Sequence, residues 1–334
     1  MTQSKLTQYS DTDLLAMKVK DLPLDEFRLP FNKQVLTLKA ELRRRGINWT
    51  PHLWASEEWF SPDGVPGFAF PFTLLDPRLI KLEKKHVGFL EGSSEKELVK
   101  LLRHECAHAL DNAFHLRKNK KRQGLFGLSS RPYPTFYVPN LNSKDYVKHL
   151  PQGYAQAHPE EDWAETFAVW LTPKYQWKKK YKTWPAMEKL LLVDEIIKKS
   201  CLGESKVSNS DTPLHFRDDN RTLKQYFNWR KQSLGLRRKN FYADKVNEVF
   251  SIDGKEEANE VFKKYESVIC KRLAKRSGIS TNIVKLMIKE LKQECKIKNY
   301  RLKYSSYQTK IIVEEMLSFH SAEFLRKKRH RVFM

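Results

Sequence analysis

The chain has 334 residues, a formal net charge of +22, 40% hydrophobic residues and 12% aromatic residues. This composition supports a packed core and excludes an intrinsically disordered chain, and the length suggests one large or two moderate domains. The charge is unevenly divided, since residues 1–170 hold 24 basic and 21 acidic residues, whereas residues 171–334 hold 38 and 19. An anionic partner such as nucleic acid would therefore bind the C-terminal half, although a solvated basic region explains the same counts.

Cysteine usage and hydropathy indicate the compartment. The four cysteines are scattered and never spaced as C-x-x-C, which fits a reducing environment and argues against a thiolate zinc ribbon. The N-terminal residues lack the apolar segment of a secretory signal, and no apolar run approaches the roughly 18 residues that a membrane span needs. We therefore expect a cytoplasmic protein with no membrane partner.

In chain order, the hydrophobic pattern first predicts an amphipathic helix over residues 31–46, with Gly46 at its end. Two apolar and aromatic segments, HLWASEEWF and GFAFPFTLL, then predict two strands with a turn at SPDGVPG between them. A long helix is predicted from Glu95 to about Leu116, and Ser94 and Glu97 form a capping box at its start.

The next segment, residues 117–157, contains several glycines and prolines and predicts a long irregular loop of the kind that is usually functional. A second helix is predicted from Pro159 through EEDWAETFAVWL, and a third over residues 185–199. Because the following stretch is polar and rich in helix breakers, we predict three regions. They are a domain over 1–200, a linker over 201–221 and a basic, mostly helical region over 222–334.

The long helix contains the sequence HECAHALD, residues 104–111, which has the pattern H-E-x-x-H. His104 and His108 share one helix face, and their Cβ atoms are expected to be about 5–6 Å apart. Two imidazoles at that separation can bind one zinc ion, while Glu105, turned by about 100°, reaches a water on that ion. Asp111 lies beside the histidines and could accept an imidazole N–H. The alternative interpretation is a helix face with two solvated histidines.

A hydrolytic zinc site has three protein ligands, and the downstream helix offers the third. Glu165 lies near the edge of its apolar face, beyond the first turn, where a carboxylate needs a partner, so Glu165 is the first choice. Glu161 shares the same face and is the alternative ligand, although the helix dipole already explains acids in the first turn. Asp162 could orient a ligand or cap the helix, and His158 is a weaker alternative ligand.

The segments RHECAHALD and HPEEDWAETFAVWLTP resemble a family of bacterial zinc-binding metallopeptidases. The similarity extends over roughly residues 35–200, including HLWASEEWFSPDGVPGFAFPF and YPTFYVPN, and is more distant to the Mlc titration factor A peptidases. The resemblance implies an α+β, zincin-like domain with a small sheet, an active-site helix and a ligand helix. It also implies one zinc ion, bound as in gluzincins by the two motif histidines, His104 and His108, and by a glutamate of the second helix, Glu165. The N-E-x-x-S-D form of the thermolysin group is absent.

From these residues we expect a zinc-dependent peptidase that cleaves peptide or protein substrates, with Glu105 as general base. Tyr154, which directly precedes the ligand helix, is the first candidate to stabilise the oxyanion, and Tyr133 and Tyr137 are alternatives.

The basic region leaves two further hypotheses open. Residues 273–291 have a spacing similar to a helix-turn-helix, and residues 226–242 alternate aromatic and cationic side chains. The protein could thus bind nucleic acid and hold only a structural or degenerate metal site. It could also be a metalloprotease that its basic tail recruits to nucleic acid.

Overall fold

A computed structural model describes residues 5–134, 137, 139–140, 142–173, 176–201, 203–233, 243–277 and 281–327. The chain divides into two compact units, one that ends at Arg230 and one that begins at Lys231. The predicted linker, 201–221, therefore belongs to the first unit. As limits of independently folding domains, 1–200 and 222–334 stay a prediction.

The first unit consists mainly of helices around a two-stranded sheet, a mixed architecture that agrees with the expected α+β class at this coarse level. Its strands are β1 (His52–Ser56) and β2 (Gly67–Pro71). Its helices are α1 (Asp11–Ala16), α2 (Asn32–Arg44), α3 (Pro77–His86), α4 (Glu95–Phe114), α5 (Lys120–Phe126), α6 (Pro159–Leu171), α7 (Trp177–Lys180) and α8 (Ala186–Ser200). Helix α9 (Leu223–Ser233) belongs to this unit as far as Arg230.

The two predicted strands pair in parallel, with His52 opposite Gly67 and Ser56 opposite Pro71. The segment between them is therefore a crossover between parallel strands and not a tight hairpin turn. A Cβ atom at Gly67 would lie 2.6 Å from the carbonyl oxygen of His52, so the pair closes only with glycine at this position.

The predicted linker follows the sheet closely. The Trp54 indole N–H donates to the carbonyl of Pro213 over 3.1 Å, and the Ser56 hydroxyl donates to that of Leu214. Residues 213–215 thus bind the sheet at β1, although the polar, breaker-rich stretch 201–213 predicts a free connection.

Helix α4 is buried around most of its circumference. Ser94 caps its N-terminus by accepting the amide of Glu97, and every residue from Leu101 to Phe114 is buried. The helical pattern predicted one buried face and one face that presents the histidines. In the structure the histidine face is also covered, because α6 packs on it.

A buried ion pair joins α2 to α4 immediately before the first motif histidine. Arg103 donates from Nε and Nη2 to the two carboxylate oxygens of Glu41, over 2.8 and 2.7 Å. The Glu41 side chain is 2% exposed. This two-point contact fixes the rotation of α4 relative to α2, and with it the direction in which the next residue points.

The second unit contains α10 (Ala243–Val249), α11 (Asn259–Ser277), α12 (Thr281–Ile297) and α13 (Ser306–Lys327). The short strands β3 (Phe250–Ser251) and β4 (Arg301–Leu302) pair antiparallel. The turn of the predicted helix-turn-helix, 278–280, and residues 234–242 of the aromatic and cationic segment lie outside the described residues. Nucleic-acid binding by this region stays a prediction.

No described helix combines the length and the apolar character needed to cross a lipid bilayer.

The Arg103–Glu41 pair generates a stability prediction. Replacing Arg103 with Met leaves the Glu41 carboxylate buried without its cation, so Arg103→Met should lower the free energy of unfolding by about 3–5 kcal/mol. The double variant Glu41→Leu/Arg103→Met removes both charges and should recover most of that loss, as urea denaturation would measure. A double variant as unstable as the single one would contradict this account.

Candidate metal centre

Helix α6 places its acidic first half against α4. Pro159 occupies its first turn, and the imidazole of His158 caps it by accepting the amide of Glu160 at Nδ1 over 3.2 Å. His158 Nε2 lies 2.7 Å from the carbonyl of Arg131. Both ring nitrogens of His158 are therefore used in the cap, which does not favour it as a metal ligand.

Three side-chain atoms from α4 and α6 converge on one buried point. The Nε2 atoms of His104 and His108 lie 3.3 Å apart, and Oε2 of Glu161 lies 3.0 and 3.4 Å from them. All three side chains are at most 10% exposed. Within the described residues, this is a His, His and Glu group whose ligand atoms could hold a single metal ion.

Glu165 binds the opposite side of the His104 ring. Its Oε1 lies 2.9 Å from Nδ1 of His104, and its Oε2 accepts the amide of Leu150 over 2.7 Å. With the proton on Nδ1, His104 donates to Glu165 and directs the lone pair of Nε2 towards His108 and Glu161. The geometry therefore favours the alternative ligand Glu161 over the first choice Glu165, which has the position of a carboxylate that orients a ligand histidine.

The carboxylates and imidazoles shift one another's pKa values. Burial alone would lower the pKa of His104, but its contacts with Glu161 and Glu165 raise it well above the ordinary value. Burial would likewise raise the pKa of Glu161, but the two imidazoles lower it well below its ordinary range. The contacts between the carboxylates and the imidazoles therefore outweigh the effect of burial on both pKa values.

Glu105 lies between the two histidines in the sequence and is 7% exposed. Burial raises the pKa of its carboxyl, an effect that His104 and His108 partly oppose. Among the described residues we find no hydrogen-bond partner for its carboxylate. A carboxylate that is poorly solvated, unpaired and next to a candidate metal point has the properties of a general base.

The other acidic residues singled out in the sequence have different partners. Asp111 pairs with Arg122 and, over 3.4 Å, with Nε of Arg117, so it does not serve the motif histidines as predicted. The reason is that α5 brings the Arg122 guanidinium onto the Asp111 carboxylate. Asp162 pairs with Lys189 over 2.6 Å and therefore ties α6 to α8 instead of orienting a ligand.

The three candidate tyrosines lie close to one another beside the centre. The Tyr154 ring lies 5.5 Å from that of His104, centroid to centroid. Burial raises the pKa of Tyr154 well above its ordinary value, so the phenol keeps its proton at neutral pH and can act as a donor. The Tyr137 ring packs against Tyr154, with centroids 6.5 Å apart.

Tyr133 has a contact that sequence patterns did not indicate. Its hydroxyl lies 3.0 Å from Oε2 of Glu160 and 3.1 Å from Oε1 of Glu161, so it can donate to the oxygen of Glu161 that faces away from the histidines. Its ring stacks on His158, with centroids 3.6 Å apart. The sequence indicates Tyr133 only as an alternative oxyanion donor, because no spacing rule connects a loop tyrosine with a helix 28 residues later.

Comparison with known proteins identifies a family match over the segment that contains the candidate metal centre. Residues 89–190 match the model of a family described as "Putative zinc-binding metallo-peptidase", and this match confirms the resemblance for that part of the chain. The matched range contains α4, α6 and the loop between them. Searches of curated proteins and of solved structures each gave no match.

Another buried histidine, His149, holds the loop whose Leu150 amide donates to Glu165. His149 is 7% exposed, and its Nε2 lies 3.0 Å from the carbonyl of Lys100 on α4. Burial lowers the pKa of His149 to about 4. The folded protein therefore requires this imidazole to be neutral, whereas the unfolded chain protonates it near pH 6.5.

His149 generates a pH prediction. Its folded pKa is depressed, so its contribution to stability is present above pH 6.5 and declines as the pH falls towards 4. His149→Gln keeps a donor for the carbonyl of Lys100 but cannot titrate. Between pH 7.5 and 5 the unmodified protein should lose about 2 kcal/mol more unfolding free energy than the variant. Urea denaturation at the two pH values measures this difference, and equal losses would contradict the assignment.

Proposed function

We propose that the protein is a zinc-dependent hydrolase of peptide bonds, with zinc bound by His104, His108 and Glu161. The observation that carries the proposal is the convergence of two imidazole nitrogens and one carboxylate oxygen, 3.0–3.4 Å apart, on a buried point. Ligand atoms of a tetrahedral zinc ion with bonds of about 2.0–2.1 Å are about 3.3 Å apart. The family match over residues 89–190 supports the same class of activity.

The state of Glu161 tests whether these residues fit a metal ion. Its Oε2 is buried and, in the part of the chain that the structure describes, accepts no hydrogen bond of ordinary geometry. Its close neighbours there are the Nε2 atoms of His104 and His108, which offer it a positive charge only when they carry a proton. A buried carboxylate needs such a charge beside it, and a divalent ion between the three atoms would supply it in place of that proton. The donor set therefore fits zinc.

The residues around the proposed zinc position have different roles in peptide hydrolysis. Bound zinc would supply a water of lowered pKa and polarise the scissile carbonyl. Glu105 takes the proton of the attacking water and returns it to the leaving amine, and its raised pKa suits both transfers. Glu165 keeps His104 in the required tautomer and orientation. Tyr154 donates a hydrogen bond to the oxygen that gains negative charge.

The first test separates the base from the ligands. Glu105→Gln keeps the shape of the side chain but cannot accept the proton, so it should bind zinc as the unmodified protein does. It should lower the rate of peptide hydrolysis by about 10²–10⁴-fold. Metal analysis after dialysis and cleavage of a fluorogenic peptide library measure the two effects. Hydrolysis at the unmodified rate would exclude Glu105 as the base.

The second test separates the two glutamates of α6. Glu161→Gln removes the charged ligand oxygen, whereas Glu165→Gln changes the group that contacts His104 Nδ1 and the amide of Leu150. We expect zinc affinity to fall by about 10–100-fold in Glu165→Gln, as for other residues that orient ligand histidines, and by more in Glu161→Gln. Competition with a zinc chelator measures both affinities. A larger loss in Glu165→Gln would restore Glu165 as the ligand.

A further inference from the structure

A cationic cavity lies at the far end of α6 from the metal centre. It has a volume of ≈ 580 Å³ and is bordered by the ends of α2 and α6, by α7 and by α8. Its walls carry the side chains of Arg44, Arg45, Lys178, Lys179 and Lys198, with Asp194 as their acidic neighbour. Cavities of this size hold small molecules, and these walls select a negatively charged one.

The cavity is separate from the hydrolytic site. Trp170, which lines it, follows Glu161 by nine residues on the same helix. Nine residues correspond to about 13 Å along the helix axis and half a turn around it. The cavity thus opens on the opposite face of α6, and a ligand there would not contact the residues proposed to bind zinc.

The charges of the cavity are poorly compensated by the protein. Asp194 accepts the Trp170 indole N–H over 2.9 Å and pairs with Lys198 over 2.7 Å, so its two oxygens are occupied. In the described ranges, no ion pair joins Arg44, Lys178 or Lys179 to a carboxylate. The next acid of α8, Glu195, pairs with Lys121 and Lys199 instead.

Arg45 distinguishes this cavity from an ordinary solvated basic surface. Its Nη2 donates to the carbonyl of Trp170 over 2.5 Å, and its guanidinium lies 4.4 Å from the centroid of the Trp170 ring. Burial lowers the pKa of Arg45, and Asp194 compensates only in part. A guanidinium held half-buried by a carbonyl and a ring keeps further N–H donors for an anion.

The aromatic residues of the cavity indicate which anion fits. Trp170 is 1% exposed and Trp177 is 5% exposed, so neither ring offers an open face on which a nucleic-acid base could stack. Recognition must therefore rest on charge and on N–H donors. Arginine and lysine side chains supply both the positive charge and the N–H donors. A phosphate group matches them, because its oxygens accept several charge-assisted hydrogen bonds.

We propose that this cavity binds a small anion of linked phosphate groups. Its phosphate oxygens pair with Arg44 and Arg45, at the end of α2, and with Lys178 and Lys179 of α7. Two sources share this chemistry, an inorganic polyphosphate and the phosphate chain of a nucleotide.

The test measures tripolyphosphate binding by isothermal titration calorimetry at low ionic strength, where exposed charges are least screened. Arg44→Glu/Lys179→Glu reverses two exposed cavity charges and leaves Arg45 in place. The matched control, Lys81→Glu/Lys84→Glu, reverses two exposed lysines of α3 and causes the same change in net charge. We expect at least about tenfold weaker binding in the cavity variant and a change of less than about twofold in the control.

Each outcome decides the proposal. Equal weakening in both variants would mean that only the overall charge attracts the anion, and absence of binding by the unmodified protein would exclude the site. Citrate that binds as tightly as tripolyphosphate would exclude phosphate recognition.

Adenosine triphosphate separates the two sources, since tighter binding than tripolyphosphate indicates a nucleotide and equal binding indicates the phosphate chain alone. The unmodified protein, the cavity variant and the control variant have the same metal centre. Any zinc that the probe chelates therefore contributes equally to the three titrations and does not affect the comparison between them.

Discussion

The structure depends on four buried carboxylates in the first half of α6, each of which has a partner from another segment. Glu160 pairs with Arg117, which follows α4, and Asp162 pairs with Lys189 of α8. Glu165 accepts an amide from the loop before α6 and contacts His104. Because an unpaired buried carboxylate costs several kcal/mol, these contacts allow few rotations and shifts of α6. Glu161 also contacts α4, but its Oε2 faces two imidazoles, which supply a positive charge only with a proton or a metal ion.

The residues of the centre could be predicted from the sequence more completely than their roles. H-E-x-x-H identifies His104, Glu105 and His108 because a helix turn fixes their relative directions. The choice between Glu161 and Glu165 depends on how α6 is rotated against α4, which a helical wheel of α6 alone does not contain. The two glutamates are four residues apart and contact the two nitrogens of the same imidazole. Because the helix dipole already explains an acid in the first turn, the sequence favours Glu165, which lies on the Nδ1 side of the His104 ring, whereas the proposed ligand Glu161 lies on the Nε2 side.

Long-range contacts account for the other differences. The partners of Asp111 come from the turn after α4 and from α5, and no local spacing rule predicts where that turn directs the chain. The two strands near the N-terminus were recognisable from their apolar composition, but their parallel pairing was not, because composition carries no strand direction. Residues 213–215 fall within the predicted linker, yet β1 binds the carbonyls of Pro213 and Leu214, and because every residue has a carbonyl the sequence gives no sign of this contact.

The dipole of α6 accounts for the opposite charges of the side chains at the two ends of this helix. Acidic side chains surround its N-terminus, and at its C-terminus Arg45 donates to the carbonyl of Trp170 in the last turn. Both arrangements match the partial charges of the helix and stabilise its orientation. At the N-terminus the dipole favours the ionised form of Glu161, so it reinforces the negative charge that a metal ion would neutralise. The same dipole attracts cations to the C-terminus only over the last turn, which explains Arg45 but not the other cavity cations. The helix dipole therefore does not explain why Arg44, Lys178 and Lys179 lie around this cavity. The proposed anion would explain it, because it would neutralise their charges.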